Sequence, residues 1–247
     1  ITHLGWRAAY GTLGAGCGLL TACAALGVRL PRPEERAALH RPIPAPAGTV
    51  APTHAGATLR QSLRDPRQWA LNFSWLLLGG LALMISVHAV PFARDQGVSL
   101  AGASLALTAY GVGSVVGRLT AGMVSDRLGT RLTIGAAYVL EMVALVTLLW
   151  IPSREALLGS LVAFGAGFAA SDTMVAKIIP EVFGLRAIAA IMGILTLGWR
   201  LGAAVAPALA GFLYDVTGSY RIPFGAAPLA VLVSWGLFAI GTSTRRR

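Results

Sequence analysis

Two arginines stand where arginines are costly. Arg118 closes the apolar run 95–117, eight residues before Asp126, and Arg200 lies near the centre of the apolar run 187–213. Eight helical residues span about 12 Å, close to half of a ~30 Å hydrocarbon core. A guanidinium at that depth costs about 2.5 kcal/mol or more and rarely faces lipid. It needs an internal carboxylate or an anionic ligand. One guanidinium holds a carboxylate by fork-shaped hydrogen bonds, and a pair suits a small dicarboxylate. Asp172 and Glu141 share this depth, so structural pairs of Arg200 with Asp172 or Arg118 with Glu141 are the competing explanation.

Other side chains extend this chemistry. Asp172 is the candidate for proton coupling, because a carboxylate inside a membrane can exchange a proton. A fixed partner for Arg200 explains it as well. Glu141 reads as a structural pair with a neighbouring helix. Tyr110, one to two turns outward from Arg118, offers a hydroxyl donor. His88, toward the outer end of its run, either meets incoming anions or is an interfacial polar residue. Trp199 shapes the site beside Arg200 or packs on lipid.

The elements that must position these groups are long and apolar. Seven runs qualify: 8–28, 68–93, 95–117, 132–151, 156–176, 187–213 and 222–244. Each is about the length that crosses a bilayer as a helix and too long for a barrel strand. Composition agrees: hydrophobic residues make 55% of 247, charged residues 12%, and mean hydropathy is +0.69. A soluble domain carries about 25% charge. The fold class expected is therefore all-α and integral to a membrane.

The net charge of +10 falls in the gaps between runs, not on an aromatic-rich face, so nucleic acid is not expected. Lys and Arg set the orientation. With the C-terminus in the cytoplasm, alternating segments hold 14 basic residues inside and 4 outside, leaving only Arg118 and Arg200 in the membrane. Residues 30–66 carry seven prolines and few large apolar side chains, and read as a largely disordered cytoplasmic linker. Its end, Leu59-Arg60-Gln61-Ser62-Leu63-Arg64, reads as a short juxtamembrane helix whose arginines anchor topology or touch anionic lipid. Cys17 and Cys23 lack nearby His or acid and read as packing residues. There is no P-loop, His-Glu-x-x-His or Gly-x-Ser-x-Gly, so neither an enzyme, a metal nor a cofactor is expected.

One loop is more specific. Gly122-Met123-Val124-Ser125-Asp126-Arg127-Leu128-Gly129-Thr130-Arg131 resembles the signature loop of the major facilitator superfamily, Gly-x-x-x-Asp-Arg-x-Gly-Arg-Arg/Lys. Gly122, Asp126, Arg127, Gly129 and Arg131 match it, and Thr130 replaces a common basic residue. Small residues allow helices to approach, Gly129 permits a tight turn, and Asp126 at a helix end can pair across an interface. Gly5-Trp6-Arg7, Ile179-Pro180-Glu181-Val182-Phe183-Gly184 and the stretch Ala210–Gly218 resemble further loops of that superfamily. The resemblance implies helices six to twelve of a twelve-helix transporter. Residues 1–29 would be helix six, 30–67 the linker and 68–247 the C-terminal six-helix bundle, facing an N-terminal bundle absent from this sequence.

Val87–Gly97 and Gly113-Ser114-Val115-Val116-Gly117-Arg118 are similar to the monocarboxylate transporter and oxalate–formate antiporter branch. That resemblance implies alternating-access transport of a small organic anion across a bacterial inner membrane. Arg118, Arg200, Tyr110 and His88 would bind it, and the Asp126 loop would bias the gate. A non-carboxylate substrate, such as a drug or sugar, or an inactive truncated fragment is the alternative.

Overall fold

The computed structural model describes residues 5–27, 56–150 and 153–243. Residues 30–55 of the expected linker lie outside the described residues. The chain divides into two units, Ile1–Thr53 and His54–Arg247. In the first, α1 (Gly5–Gly27) is a single helix, with Leu19, Leu20 and Leu26 exposed.

The second unit holds α2 (Leu59–Arg64), α3 (Pro66–Asp95), α4 (Leu100–Leu128), α5 (Thr130–Trp150), α6 (Arg154–Phe183), α7 (Ile188–Thr217) and α8 (Arg221–Gly241). Helices α3 to α8 are long and apolar enough to cross a membrane. Their ends follow local chemistry. Asp65, Ser99 and Ser153 accept first-turn amides of α3, α4 and α6, and Pro66 supplies a preset helical φ. Gly129, Gly184 and Gly218 follow α4, α6 and α7 at positive φ, where a β-carbon would be strained. Several helices run past the apolar runs read from sequence, because capped polar turns extend them beyond the hydrocarbon.

The reading of residues up to 66 as disordered changes at Gly56. From there the backbone is ordered. Ala57 N donates to the Phe183 carbonyl at 2.8 Å, and Gly56 bridges Gly184. Helix α2 occupies the residues expected of it and carries a capping box between Thr58 and Gln61. Ser62 on its buried side donates to Gln68 Oε1 at 2.9 Å.

Two helix pairs form the frame. Helices α4 and α6 run parallel and touch through glycine: a β-carbon on Gly113 or Gly117 would strike the carbonyls of Val162 or Ala166. Helices α3 and α7 do the same, Gly202 lying on the Leu76 carbonyl. Such approaches are how membrane helices gain packing contact without a hydrophobic drive. Helix α5 packs on α6 and α8 on α3. Between them, the Ser74, Tyr138 and Ser234 hydroxyls form a buried triangle at 2.9–3.0 Å joining α3, α5 and α8. Leu78, Ile85, Phe164, Ile178 and Phe224 fill the interior. The outside is apolar too: Val139, Val143, Leu229, Leu232 and Ile240 are exposed. This is the surface of an integral membrane protein, in which lipid replaces water.

Candidate functional site

The helix pairs bring four helices to one open cavity of about 300 Å³. Trp75 comes from α3, Arg118 from α4, Phe168 and Asp172 from α6, and Thr196, Trp199 and Arg200 from α7. Helical spacing explains the grouping. Phe168 and Asp172 are one turn apart, as are Thr196 and Arg200. Trp75 and Phe168 are almost buried, so they form a rigid apolar floor beneath three charged groups.

Gly117 pulls α4 onto α6 one residue before Arg118. Arg118 Nη2 then lies 3.7 Å from Asp172 Oδ2, with 52% and 40% of the two side chains exposed. At that distance the pair is electrostatic rather than a short fork. Arg200 differs. Its guanidinium carbon sits 4.9 Å over the Trp199 ring, and among the described residues no carboxylate lies within ion-pair distance of it. Trp199 is seated against Gly79, and its buried indole N–H has no partner among the described residues. Two cations and one anion thus face a single cavity.

The pairings weighed from sequence are distributed otherwise. Asp172 partners Arg118, not Arg200. Among the described residues Glu141 partners no arginine; it is fully buried on α5 and accepts from Ser171 Oγ at 3.2 Å, while its Oε2 has no partner among them. Ser171 precedes Asp172 by one residue, which turns the two side chains about 100° apart on α6. That rotation separates a buried carboxylate from one lining the cavity. Gly167 makes room for Glu141, since a β-carbon there would lie 2.8 Å from Glu141 Cγ.

Tyr110 and His88 do not line this cavity. Tyr110 stacks on Phe164 with centroids 6.1 Å apart. His88 belongs to the far end of α3. Its Nε2 must donate to the Pro207 carbonyl at 3.0 Å, so in the neutral ring Nδ1 accepts from the Tyr220 hydroxyl at 3.2 Å. Tyr220 caps α8, and its amide donates to Asp95 at 3.3 Å. Burial, with Tyr214, Asp95 and Asp215 nearby, pushes the Tyr220 hydroxyl above its ordinary range and keeps it a donor.

The signature loop lies at the opposite end. Asp126 accepts from Lys177 Nζ at 2.9 Å, and Lys177 also reaches Ser125 Oγ at 3.4 Å. Thr130, in place of the usual basic residue, donates to Glu181 at 2.6 Å. Arg127 and Arg131 are exposed. Gly122 has open space where a β-carbon would be, so no close approach within this unit requires it. In the sequence Lys177 counts only as one of the cytoplasmic basic residues, not as the partner of Asp126. The parallel register that seats Gly113 on Val162 and Gly117 on Ala166, a constant offset of 49, is what brings it near Asp126.

Comparison with known proteins adds four findings. Residues 78–247 match the model of the Major Facilitator Superfamily. Monocarboxylate transporter 11 of Mus musculus is 28% identical over 231 residues, 89% of this chain and 49% of that protein. The MFS-type transporter YhjX of Escherichia coli K12 is 28% identical over 151 residues, 59% of this chain and 37% of that one. Against the crystal structure of the E. coli fucose:proton symporter FucP the TM-score is 0.63 at 15% identity, covering 78% of this chain and 48% of that chain, a likeness of fold alone. This chain spans about half the length of the relatives it matches, or less.

Proposed function

Since the chain belongs to the major facilitator superfamily, whose members are transporters and not enzymes, we propose that it takes part in secondary active transport of a small organic carboxylate. The observation that carries this reading is the charge set of the central cavity: Arg118 and Arg200 with Asp172 over an apolar floor. Arg200 is the anion receptor. Stacking on Trp199 orients the guanidinium without neutralising it. Arg118 is the conditional receptor, shared with Asp172.

The charge balance gives the mechanism. With Asp172 ionised the three groups sum to one positive charge, which a monocarboxylate neutralises. With Asp172 protonated they sum to two, and Arg118 is released to a substrate carboxylate. Proton binding and anion binding therefore favour one another through Arg118, as reciprocal linkage requires. Alternating access would rock this bundle against a second one around the midplane site, with the Asp126–Lys177 contact biasing the gate. The excess of basic residues at the end bearing that contact supports a cytoplasmic position for it and for the C-terminus.

The test is uptake of labelled oxalate, formate, lactate and pyruvate by cells expressing the complete reading frame. Wild type takes up one of these acids; R118Q and R200Q reach the membrane but lose about 10- to 100-fold, the value of a charge-assisted hydrogen bond. D172N keeps carboxylate exchange and loses accumulation driven by a proton gradient. Uptake that survives both arginine changes returns those residues to structure. Absence of uptake of every acid by well-folded wild type removes the carboxylate assignment.

A further inference from the structure

The two ends of the second unit differ in charge. One end gathers α2, the start of α3, the α4–α5 turn and the α6–α7 turn. Its acids are already engaged: Asp65 by Arg67 at 2.8 Å, Asp126 by Lys177 at 2.9 Å, Glu181 by the Thr130 hydroxyl at 2.6 Å. Arg60, Arg64, Arg127, Arg131 and Arg186 remain exposed, with no carboxylate within ion-pair distance among the described residues. At the other end Arg94, Arg154 and Arg221 are balanced in number by Asp95, Glu155 and Asp215.

Helix α2 gives this excess a shape. Leu59 and Leu63, one turn apart, are 36% and 37% exposed on one stripe. Arg60 and Arg64 form the neighbouring stripe, about 100° round the helix. Trp69 joins the apolar stripe: its indole N–H donates to the Leu63 carbonyl at 2.9 Å, and 45% of the residue stays exposed. The helix cannot simply roll to hide these groups. Ser62 is bonded to Gln68 in the interior, and the Ala57–Phe183 hydrogen bond holds the preceding strand of chain.

We infer that α2 and its flanking arginines form a binding site for anionic phospholipid. Phosphodiester oxygens sit on Arg60 and Arg64, and acyl chains lie along Leu59, Leu63 and Trp69. A guanidinium matches phosphate geometry, and an amphipathic basic helix beside a membrane span lies in the headgroup layer. A free phosphate would use only the arginine stripe. The joined apolar stripe selects the lipid.

The experiment is thermal unfolding of the purified chain in micelles, with phosphatidylglycerol or phosphatidylcholine of matched acyl chains added at equal mole fraction. Phosphatidylglycerol raises the midpoint more than phosphatidylcholine. R60Q/R64Q removes most of that difference, R60K/R64K retains most of it, and R154Q/R221Q at the other end leaves it intact. Equal shifts from the two lipids would overturn the assignment. So would a difference that survives R60Q/R64Q, or glycerol phosphate without acyl chains reproducing the whole shift.

Discussion

The two glycine-seated helix pairs use one backbone device and reach opposite electrostatic results. On α4 and α6 the charges meet one another: Arg118 faces Asp172, and Asp126 faces Lys177. On α3 and α7 the polar contacts are neutral. Asn72 donates to the Ile194 carbonyl at 2.9 Å and His88 to that of Pro207 at 3.0 Å. The one cation of that pair near the cavity, Arg200, has an aromatic face and no carboxylate among the described residues. Close helix contact therefore does not decide whether a charge is spent inside the bundle. Side-chain register does. The α3–α7 pair offers a standing positive charge to the cavity, and the α4–α6 pair offers one that Asp172 can withhold.

The largest effect should come from breaking the shared device. In Gly117→Val the new side chain meets the Ala166 backbone, and in Gly202→Val that of Leu76. Backbone cannot swing aside as a side-chain end can, so each change costs about 3 kcal/mol or more. Loss of the monodisperse folded species, read by fluorescence size-exclusion and thermal unfolding, is expected for both. Gly122→Ala is the control, since open space surrounds that position. If Gly117→Val folds with an unchanged midpoint, α4 and α6 are not held together at this crossing.

A smaller effect separates the pairs. Arg118→Gln strands Asp172, whereas Arg200→Gln strands no carboxylate among the described residues. Both Arg118 and Asp172 are roughly half exposed, so solvent screening limits the cost of R118Q to about 1 kcal/mol. D172N added to R118Q should recover most of it in a double-mutant cycle, while R200Q stays within about 0.5 kcal/mol of wild type. An R200Q penalty as large as that of R118Q would mean that Arg200 has a structural partner, and the contrast between the pairs would fall.

Much of this was legible before the structure. Six of the seven apolar runs correspond to helices long and apolar enough to span, because lipid leaves the backbone little other choice, while run 8–28 falls on the shorter apolar stretch of α1 among the described residues. The Asp126 loop gave the family, and Leu59–Arg64 gave α2. Arg118, Asp172 and Arg200 were singled out on cost, and they meet at one cavity. What the sequence did not reveal was which acid meets which arginine. The pairs the residues offered were Arg200 with Asp172 and Arg118 with Glu141, groups at similar depth, whereas the structure sets Asp172 beside Arg118. The choice rests on helix register, which Gly113 and Gly117 set by contact with α6. Ser171 carries the same lesson. A step of one residue moves a polar group from the cavity wall to the buried face holding Glu141. His88 and Tyr110 were placed by depth alone, and depth says nothing about which face of a helix is turned inward.

The smallest effect is the most discriminating about the α4–α6 pair itself, since its two ion pairs sit in different surroundings. Lys177 and Asp126 are 43% and 73% exposed at the end of the bundle, and their contact is short at 2.9 Å. Arg118 and Asp172 are farther apart, at 3.7 Å, but lie within the cavity. Distance alone would rank the Lys177 pair as the stronger. Screening reverses that order, because exposed pairs are worth about 0.2–1 kcal/mol and weaken with salt over a Debye length of about 10 Å at 0.1 M. Lys177→Gln should therefore lower stability by no more than about 0.5 kcal/mol. That loss should vanish when unfolding is repeated in 1 M salt, where the screening length falls to about 3 Å. The R118Q penalty should shrink less under the same salt, because its partner faces a cleft walled by Trp75, Phe168 and Trp199 rather than open water. Equal salt sensitivity of the two would mean that the cavity is as wet as the end of the bundle, and that Asp172 holds Arg118 too weakly to act as its switch.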